Sequence, residues 1–257
     1  LVVDGELVAA AEEERFTRVK HDNALPERAI ASVLAIGEID AADVDVVVVH
    51  EKPLAVMSRV IASRQRRGPR SIGAFRNEMP VLLRRNLLVG YRIERFLKRL
   101  GARKPPMIRY GEHHLSHAAA AFYPSPYSSA AILTVDGIGE WATATIGFGA
   151  NRRIDLLAEQ RYPNSLGLVY TLATQWCGFE PNDGEYKLMG LAPFGDPSFA
   201  DALAEIVSLG DDGSIDVDAK EVGWWGSDLG RLTRVADLFG GPPREPGAPL
   251  TSRDMDL

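Results

Sequence analysis

Residues 130–148 read AAILTVDGIGEWATATIGF. An apolar run ends in Asp136-Gly137, and a second run starts at Ala142. Apolar runs on either side of Asp-Gly signal antiparallel strands joined by a turn. Strands are therefore predicted over 130–135 and 142–148, with a third at Ile154–Ala158 after the turn at Gly149–Asn151. The chain opens in the same way. In LVVDGELVAA (1–10), Asp4-Gly5 separates two short apolar runs. Two copies of one pattern predict a duplicated α/β unit that begins with antiparallel strands and continues into a helix and a parallel strand. On this reading the first copy lacks a leading strand, the second starts near Ala130 and is unfinished at Leu257, and the chain is a segment of a longer module.

Between the copies, Pro26 suits the first turn of a helix reaching Ile36 and closed by Gly37. Val44–Val49 is rich in β-branched residues and predicts a strand buried on both faces. Met107–Tyr110 predicts another strand, and the alanine-rich 112–122 a helix ended by Pro124. Further along, helices are predicted over Leu166–Trp176 and Phe199–Leu209. GGPPREPGAP (240–249) predicts a loop.

The 257 residues are 46% hydrophobic, which excludes a disordered chain. One cysteine, Cys177, excludes an internal disulfide and a Cys-cluster metal site. No apolar run reaches membrane-spanning length, so a cytoplasmic protein with no membrane partner is expected. Net charge is -6, which does not favour nucleic acid as a partner. Residues 59–104 stand apart with 14 Lys/Arg and two acidic residues. Leucines recur there at helical spacing, which predicts amphipathic helices with cationic side chains outside, pairing with acidic segments elsewhere; a phosphate-rich ligand, a partner domain, or a nucleic-acid or membrane surface are the alternatives.

His113 and His117 stand four apart in the predicted 112–122 helix, so both imidazoles share one face and can converge on one ion. Asp136, at a strand end, can supply an oxygen ligand. Capping or core roles for the histidines, and a plain turn at Asp136-Gly137, are the alternatives. The pattern is not HExxH, since position 114 is His, and no G-K-[ST] occurs, so a zincin and a P-loop are excluded. Gly137 and Gly139 would let backbone N–H groups approach a phosphate or carbamoyl group. In the stretch 184–193, Lys187 can bind an anion and Glu185 can orient it or act as a base; a surface ion pair is the alternative. His114, one residue off the His113/His117 face, joins Lys187 and Glu185 as a candidate catalytic residue. Cys177 is expected to be a buried thiol. The charged cluster Glu12–Arg18, with Lys20 and His21, either lines a polar site or forms a solvated rim.

Four stretches together, AEEERFTRVKH (11–21), GEHHLSHAAAAFYPSPY (111–127), AILTVDGIGEWATATIG (131–147) and YPNSLGLVYTLATQWCGFEPNDGEYKLMGLAPFG (162–195), resemble the NodU/CmcH family of O-carbamoyltransferases. The resemblance implies a Kae1-like module of the ASKHA (actin/Hsp70/sugar-kinase-like) type: a first lobe over 1–127, carrying an Arg-rich helical insertion at about 59–104, and the start of a second lobe over 128–257. A YrdC-like domain, outside this segment, would make carbamoyl adenylate from carbamoyl phosphate and ATP. The Kae1-like module would pass the carbamoyl group to a hydroxyl of a small-molecule natural product, as in antibiotic and nodulation-factor tailoring. His113, His117 and Asp136 match the family's metal site, taken as Fe(II) or another divalent ion, and a further acidic ligand is implied after residue 257. A homodimer is compatible with the resemblance. The alternatives are a Kae1-like threonylcarbamoyl transferase acting on tRNA, for which the basic 59–104 stretch would serve, and a sugar-kinase-like phosphotransferase using Mg²⁺.

Overall fold

The computed structural model describes residues 1–67, 72–218, 236 and 238–256. Its regular elements are, in chain order, β1 (Val2–Val3), β2 (Glu6–Leu7), α1 (Glu14–Thr17), α2 (Glu27–Ile36), β3 (Val46–Val49), α3 (Pro53–Arg67), α4 (Ile72–Leu82), α5 (Val89–Arg99), β4 (Met107–Tyr110), α6 (His113–Phe122), β5 (Ser129–Val135), β6 (Ala142–Ala150), β7 (Arg153–Arg161), α7 (Leu166–Trp176), α8 (Glu185–Leu191), α9 (Ala200–Ile206), β8 (Val207–Leu209) and β9 (Ile215–Val217), with a short helix at Ser252–Asp256. This is a mixed α/β protein. No helix among the described residues is long and apolar enough to cross a membrane. The chain divides into two compact units, one of residues 1–54 and 75–111, the other of 55–74 and 112–257.

In the first unit, β1 and β2 pair antiparallel around Asp4 (φ 51°) and Gly5 (φ 89°). Two left-handed residues in succession make the hairpin turn that Asp-Gly predicts. The cluster that follows does local structural work. Glu13 is 8% exposed, and its carboxylate accepts the N–H groups of Arg28 (3.2 Å) and Ala29 (2.7 Å) at the start of α2. β3 and β4 pair in parallel, Val46 opposite Met107 and Val49 opposite Tyr110. Val47 and Val49 pack on a core of Leu25, Leu34, Ile93, Phe96 and Leu97. Val46 and Val48 are exposed, so β3 is buried on one face and not on both as the valine run suggested. With residues 46–49 all valine, only the strand's neighbours distinguish its two faces. α5 buries Ile93, Phe96 and Leu97 and keeps Lys98 and Arg99 outside, as the basic stretch predicts. Arg99 meets Glu27 at 2.7 Å. Residues 68–71 of that stretch lie outside the described residues.

The second unit is built on the antiparallel sheet β5-β6-β7. Alternation gives the sheet two unlike faces. Ile132, Thr134, Thr143 and Thr145 are buried, while Leu133, Val135, Ile146 and Phe148 are exposed. α6 packs against the sheet through Ala118, which is fully buried, and Phe122. Its small residues allow this close approach. At its C-terminal end the Phe122 ring lies on Gly149, where a Cβ would sit 2.8 Å from the ring. A second cluster gathers Leu172, Trp176, Cys177, Leu188, Ile206 and Phe239. Trp176 and Phe239 meet edge to face at 5.3 Å. The predicted 199–209 helix is shorter than expected. It ends at Ile206, and Val207–Leu209 turns into β8, which pairs with β9. Arg64, 7% exposed, departs from the expectation that the basic side chains face water.

Candidate metal centre

α6 begins one residue after Glu112, whose side chain does not cap it. The capping group comes from a distant segment. Glu140, in the β5–β6 turn and 9% exposed, accepts the His113 N–H with both carboxylate oxygens, at 3.2 and 3.1 Å. From this end of the helix, His113 and His117 project on one face, as their spacing predicts. Their Nε2 atoms are 3.0 Å apart. Asp136, just beyond β5, brings Oδ2 to 2.8 Å from His113 Nε2 and 3.5 Å from His117 Nε2. The three residues offer donor atoms that all lie within 4.8 Å of one another. The hydrogen bond from His113 holds the Asp136 carboxyl well below the usual carboxylate range. Burial opposes this, and the Gly137 N–H at 2.7 Å assists. The His117 side chain is 51% exposed, which leaves the cluster open to solvent on that side.

The donor set fits a divalent ion. Nitrogen and oxygen atoms bound at about 2.1 Å to one ion lie roughly 3.0–3.4 Å apart when they subtend about 90–110°. The observed spacings of 2.8, 3.0 and 3.5 Å bracket that range. Two imidazoles and one carboxylate are ligands common to iron, manganese and zinc.

His114 points the other way, into the sheet, and is 2% exposed. Its Nε2 lies 2.9 Å from the Ala142 carbonyl, and its Nδ1 lies 2.6 Å from Thr134 Oγ1. A carbonyl only accepts, so Nε2 carries the proton and Nδ1 accepts from Thr134. Thr134 stands opposite Thr145 in the β5–β6 register, and Thr145 Oγ1 donates to it at 2.7 Å. Burial pushes the His114 pKa down. Both ring nitrogens are thus engaged inside the protein, and this placement anchors α6 on the sheet. A catalytic role, as the sequence suggested for His114, would need contact with a substrate that the buried ring does not offer.

Asp136 also borders a cavity of about 470 Å³, whose walls include Gly137, Gly167, Tyr170, Asn182 and Glu185. The first turn of α7 forms one wall. Ser165 caps that helix by accepting the Leu168 N–H (3.0 Å) and donates to the Gly137 carbonyl (2.7 Å). Gly167 lies so close to the Asp136-Gly137 peptide that a Cβ there would be 2.4 Å from the Asp136 carbonyl oxygen. Glu185 Oε1 accepts from Thr171 Oγ1 (3.0 Å) and from the Asn182 N–H (2.8 Å), which fixes that carboxylate in the wall. Tyr170 has its pKa raised, by burial first and by the Glu185 charge second.

The structure does not bring the other expected residues to this cavity. Lys187 is absent from its walls, and its ammonium lies 5.9 and 5.7 Å from the ring centres of Phe179 and Tyr186. Gly139 packs on His113 instead, where a Cβ would meet the His113 Cβ at 2.9 Å. Cys177 is fully buried, as expected, and burial pushes its thiol up to about 11. The sequence reading missed Glu140, Thr134 and Gly167. Glu140 left one signal: it and Asp136 are the only ionisable residues in 130–148.

Residues 1–250 match the family described as Carbamoyltransferase N-terminus. The chain is similar to protein sll1178 of Synechocystis, with 40% identity over 262 aligned positions, covering all of this chain and 42% of that protein. It is 31% identical over 262 positions to nodulation protein NolNO of Sinorhizobium fredii, covering all of this chain and 35% of NolNO. Nodulation protein NolO of Bradyrhizobium diazoefficiens is 34% identical over 112 positions, 43% of this chain and 20% of NolO. The chain thus spans less than half the length of these relatives.

Proposed function

The chain belongs to the Carbamoyltransferase N-terminus family, and from that premise we propose that it supplies the transfer site of an O-carbamoyltransferase. The donor is carbamoyl adenylate, made from carbamoyl phosphate and ATP by a YrdC-like domain of the longer protein. The acceptor is a hydroxyl of a small-molecule natural product. The chain's α/β architecture then corresponds to lobes of the ASKHA type. The observation that carries the reading is the convergence of His113, His117 and Asp136 beside a cavity large enough for a ligand.

In the reaction, the acceptor oxygen bonds to the carbamoyl carbon, the bond from that carbon to the phosphate oxygen breaks, and AMP leaves. The acceptor's proton passes to a base. His113, His117 and Asp136 would hold a divalent ion, Fe(II) among others. Bound there, the ion would polarise the carbamoyl oxygen and offset charge that develops on it. Glu185 is the carboxylate of the cavity wall outside that trio. Held by Thr171 and Asn182, it can accept a hydrogen bond from a ligand hydroxyl and take a proton. Gly137 has no side chain, so a phosphate or carbamoyl group can approach its backbone closely.

The test compares the full-length protein with its His117→Ala variant. Metal content is measured on both, and transfer is assayed with carbamoyl phosphate, ATP and a panel of hydroxylated acceptors. Metal and activity should fall together in the variant. Full activity in a variant that carries no metal would overturn the reading.

A further inference from the structure

We infer that Glu140 is a positioning residue for the metal centre: its carboxylate ties the first turn of α6 to the turn that carries Asp136, and so sets the spacing between the imidazoles and the carboxylate. This rests on the metal reading above. A helix is ordinarily capped by the residue just before it, and such a cap is indifferent to the rest of the fold. Here Glu112 occupies that place without a side-chain cap, and the cap comes from 27 residues away. Glu140 is 9% exposed, and both its oxygens face the His113 N–H. Its negative charge also suits the N-terminal end of a helix.

The other end of the same five-residue segment is Asp136. The segment is pinned by the Asp136 N–H to the Thr143 carbonyl and by the Gly139 N–H to the Ala142 carbonyl, each at 2.9 Å. Gly139 also lies against the His113 side chain with no room for a Cβ. One turn therefore meets His113 three times: at Nε2 through Asp136, at the ring and Cβ through Gly139, and at the backbone N–H through Glu140. Removing the Glu140 carboxylate frees the helix end from the turn while leaving all three proposed ligands in the chain.

The experiment titrates Co²⁺ into the wild-type full-length protein and into Glu140→Ala, Glu140→Gln and Ser125→Ala, following the visible Co²⁺ spectrum and the melting temperature of the metal-free protein. Ser125 donates to the Phe122 carbonyl at 2.7 Å and so loosens the opposite end of α6 when changed. Groups that orient metal ligands alter affinity by about 10–100-fold when lost. Glu140→Ala should weaken Co²⁺ at least about tenfold and shift its absorption bands. Glu140→Gln, which keeps an acceptor oxygen, should fall between Glu140→Ala and wild type, and decides the matter if Glu140→Ala does not fold. Ser125→Ala should keep wild-type affinity and bands even where its melting temperature drops. Wild-type affinity and bands in both Glu140 variants would overturn the inference and leave the metal reading standing. So would a Ser125→Ala loss as large as that of Glu140→Ala, since helix stability alone would then explain it. Absence of Co²⁺ binding by wild type would instead overturn the metal reading, and the inference with it.

Discussion

Thr134→Val should cost stability well beyond its size. Valine has nearly the shape of threonine, so packing is conserved and only the hydroxyl is removed. That hydroxyl donates to His114 Nδ1 at 2.6 Å and accepts from Thr145 Oγ1 at 2.7 Å. All three side chains are buried, at 7%, 2% and 3% exposure for Thr134, His114 and Thr145. Leaving a buried polar group without its partner costs about 1–3 kcal/mol. The His114 nitrogen cannot move, because its other nitrogen is fixed on the Ala142 carbonyl. The Thr145 hydroxyl can rotate and recover part of its loss. The sum is about 2–4 kcal/mol. For a protein of this size each kcal/mol lowers the melting temperature by about 2–4 °C, so a fall of roughly 4–16 °C is expected. Urea and thermal unfolding of the metal-free protein measure it, with the urea midpoint shifting at constant slope. A variant within about 0.5 kcal/mol of wild type, inside the ordinary scatter of neutral substitutions, would refute the tautomer assigned to His114 and the anchoring of α6 through it.

Gly167→Ala should be destabilising by about 1–3 kcal/mol and should also weaken divalent-ion binding, because its Cβ would displace the Asp136-Gly137 peptide; equal stability and affinity, by melting and Co²⁺ titration, would contradict the close approach. Glu185→Ala strips an acceptor from the Asn182 N–H and the Thr171 hydroxyl, so a loss of about 1–3 kcal/mol is expected together with weaker AMP binding by calorimetry. Unchanged AMP affinity would remove Glu185 from the ligand wall. The Cys177 thiol, raised to about 11 by burial, should resist alkylation at pH 8 in the folded protein and react readily in urea. Its folded pKa lies above the unfolded one, so its contribution to stability is complete below about pH 8.5 and is lost as pH rises toward 11. Rapid labelling of the native protein would overturn that placement.

Features written in short-range pattern are legible in the sequence. Asp4-Gly5 requires two left-handed residues, and the chain supplies them. The i, i+4 spacing of His113 and His117 puts two imidazoles on one helical face, and a polar residue closing an apolar strand puts Asp136 at a strand end. What escaped depends on partners distant in sequence. Nothing local tells His114 from its neighbours, yet one step of 100° around the helix turns it from the face shared by His113 and His117 to the sheet. A glycine at 139 suits the approach of a phosphate, but a histidine ring 26 residues earlier takes up the space. Four consecutive valines, 46–49, carry no alternation from which an exposed face could be read. The end of α9 at Ile206 is set by pairing of residues 207–209 with 215–217, which overrides helical propensity.

The Phe122 ring seated on Gly149 supports α6 about 13.5 Å along its axis from the clasp at the His113 N–H. Gly149 closes the same strand, β6, whose start lies next to the turn clasping His113. With Ala118 fully buried against the sheet between these two points, the helix is held along its length and can neither slide nor screw along β6.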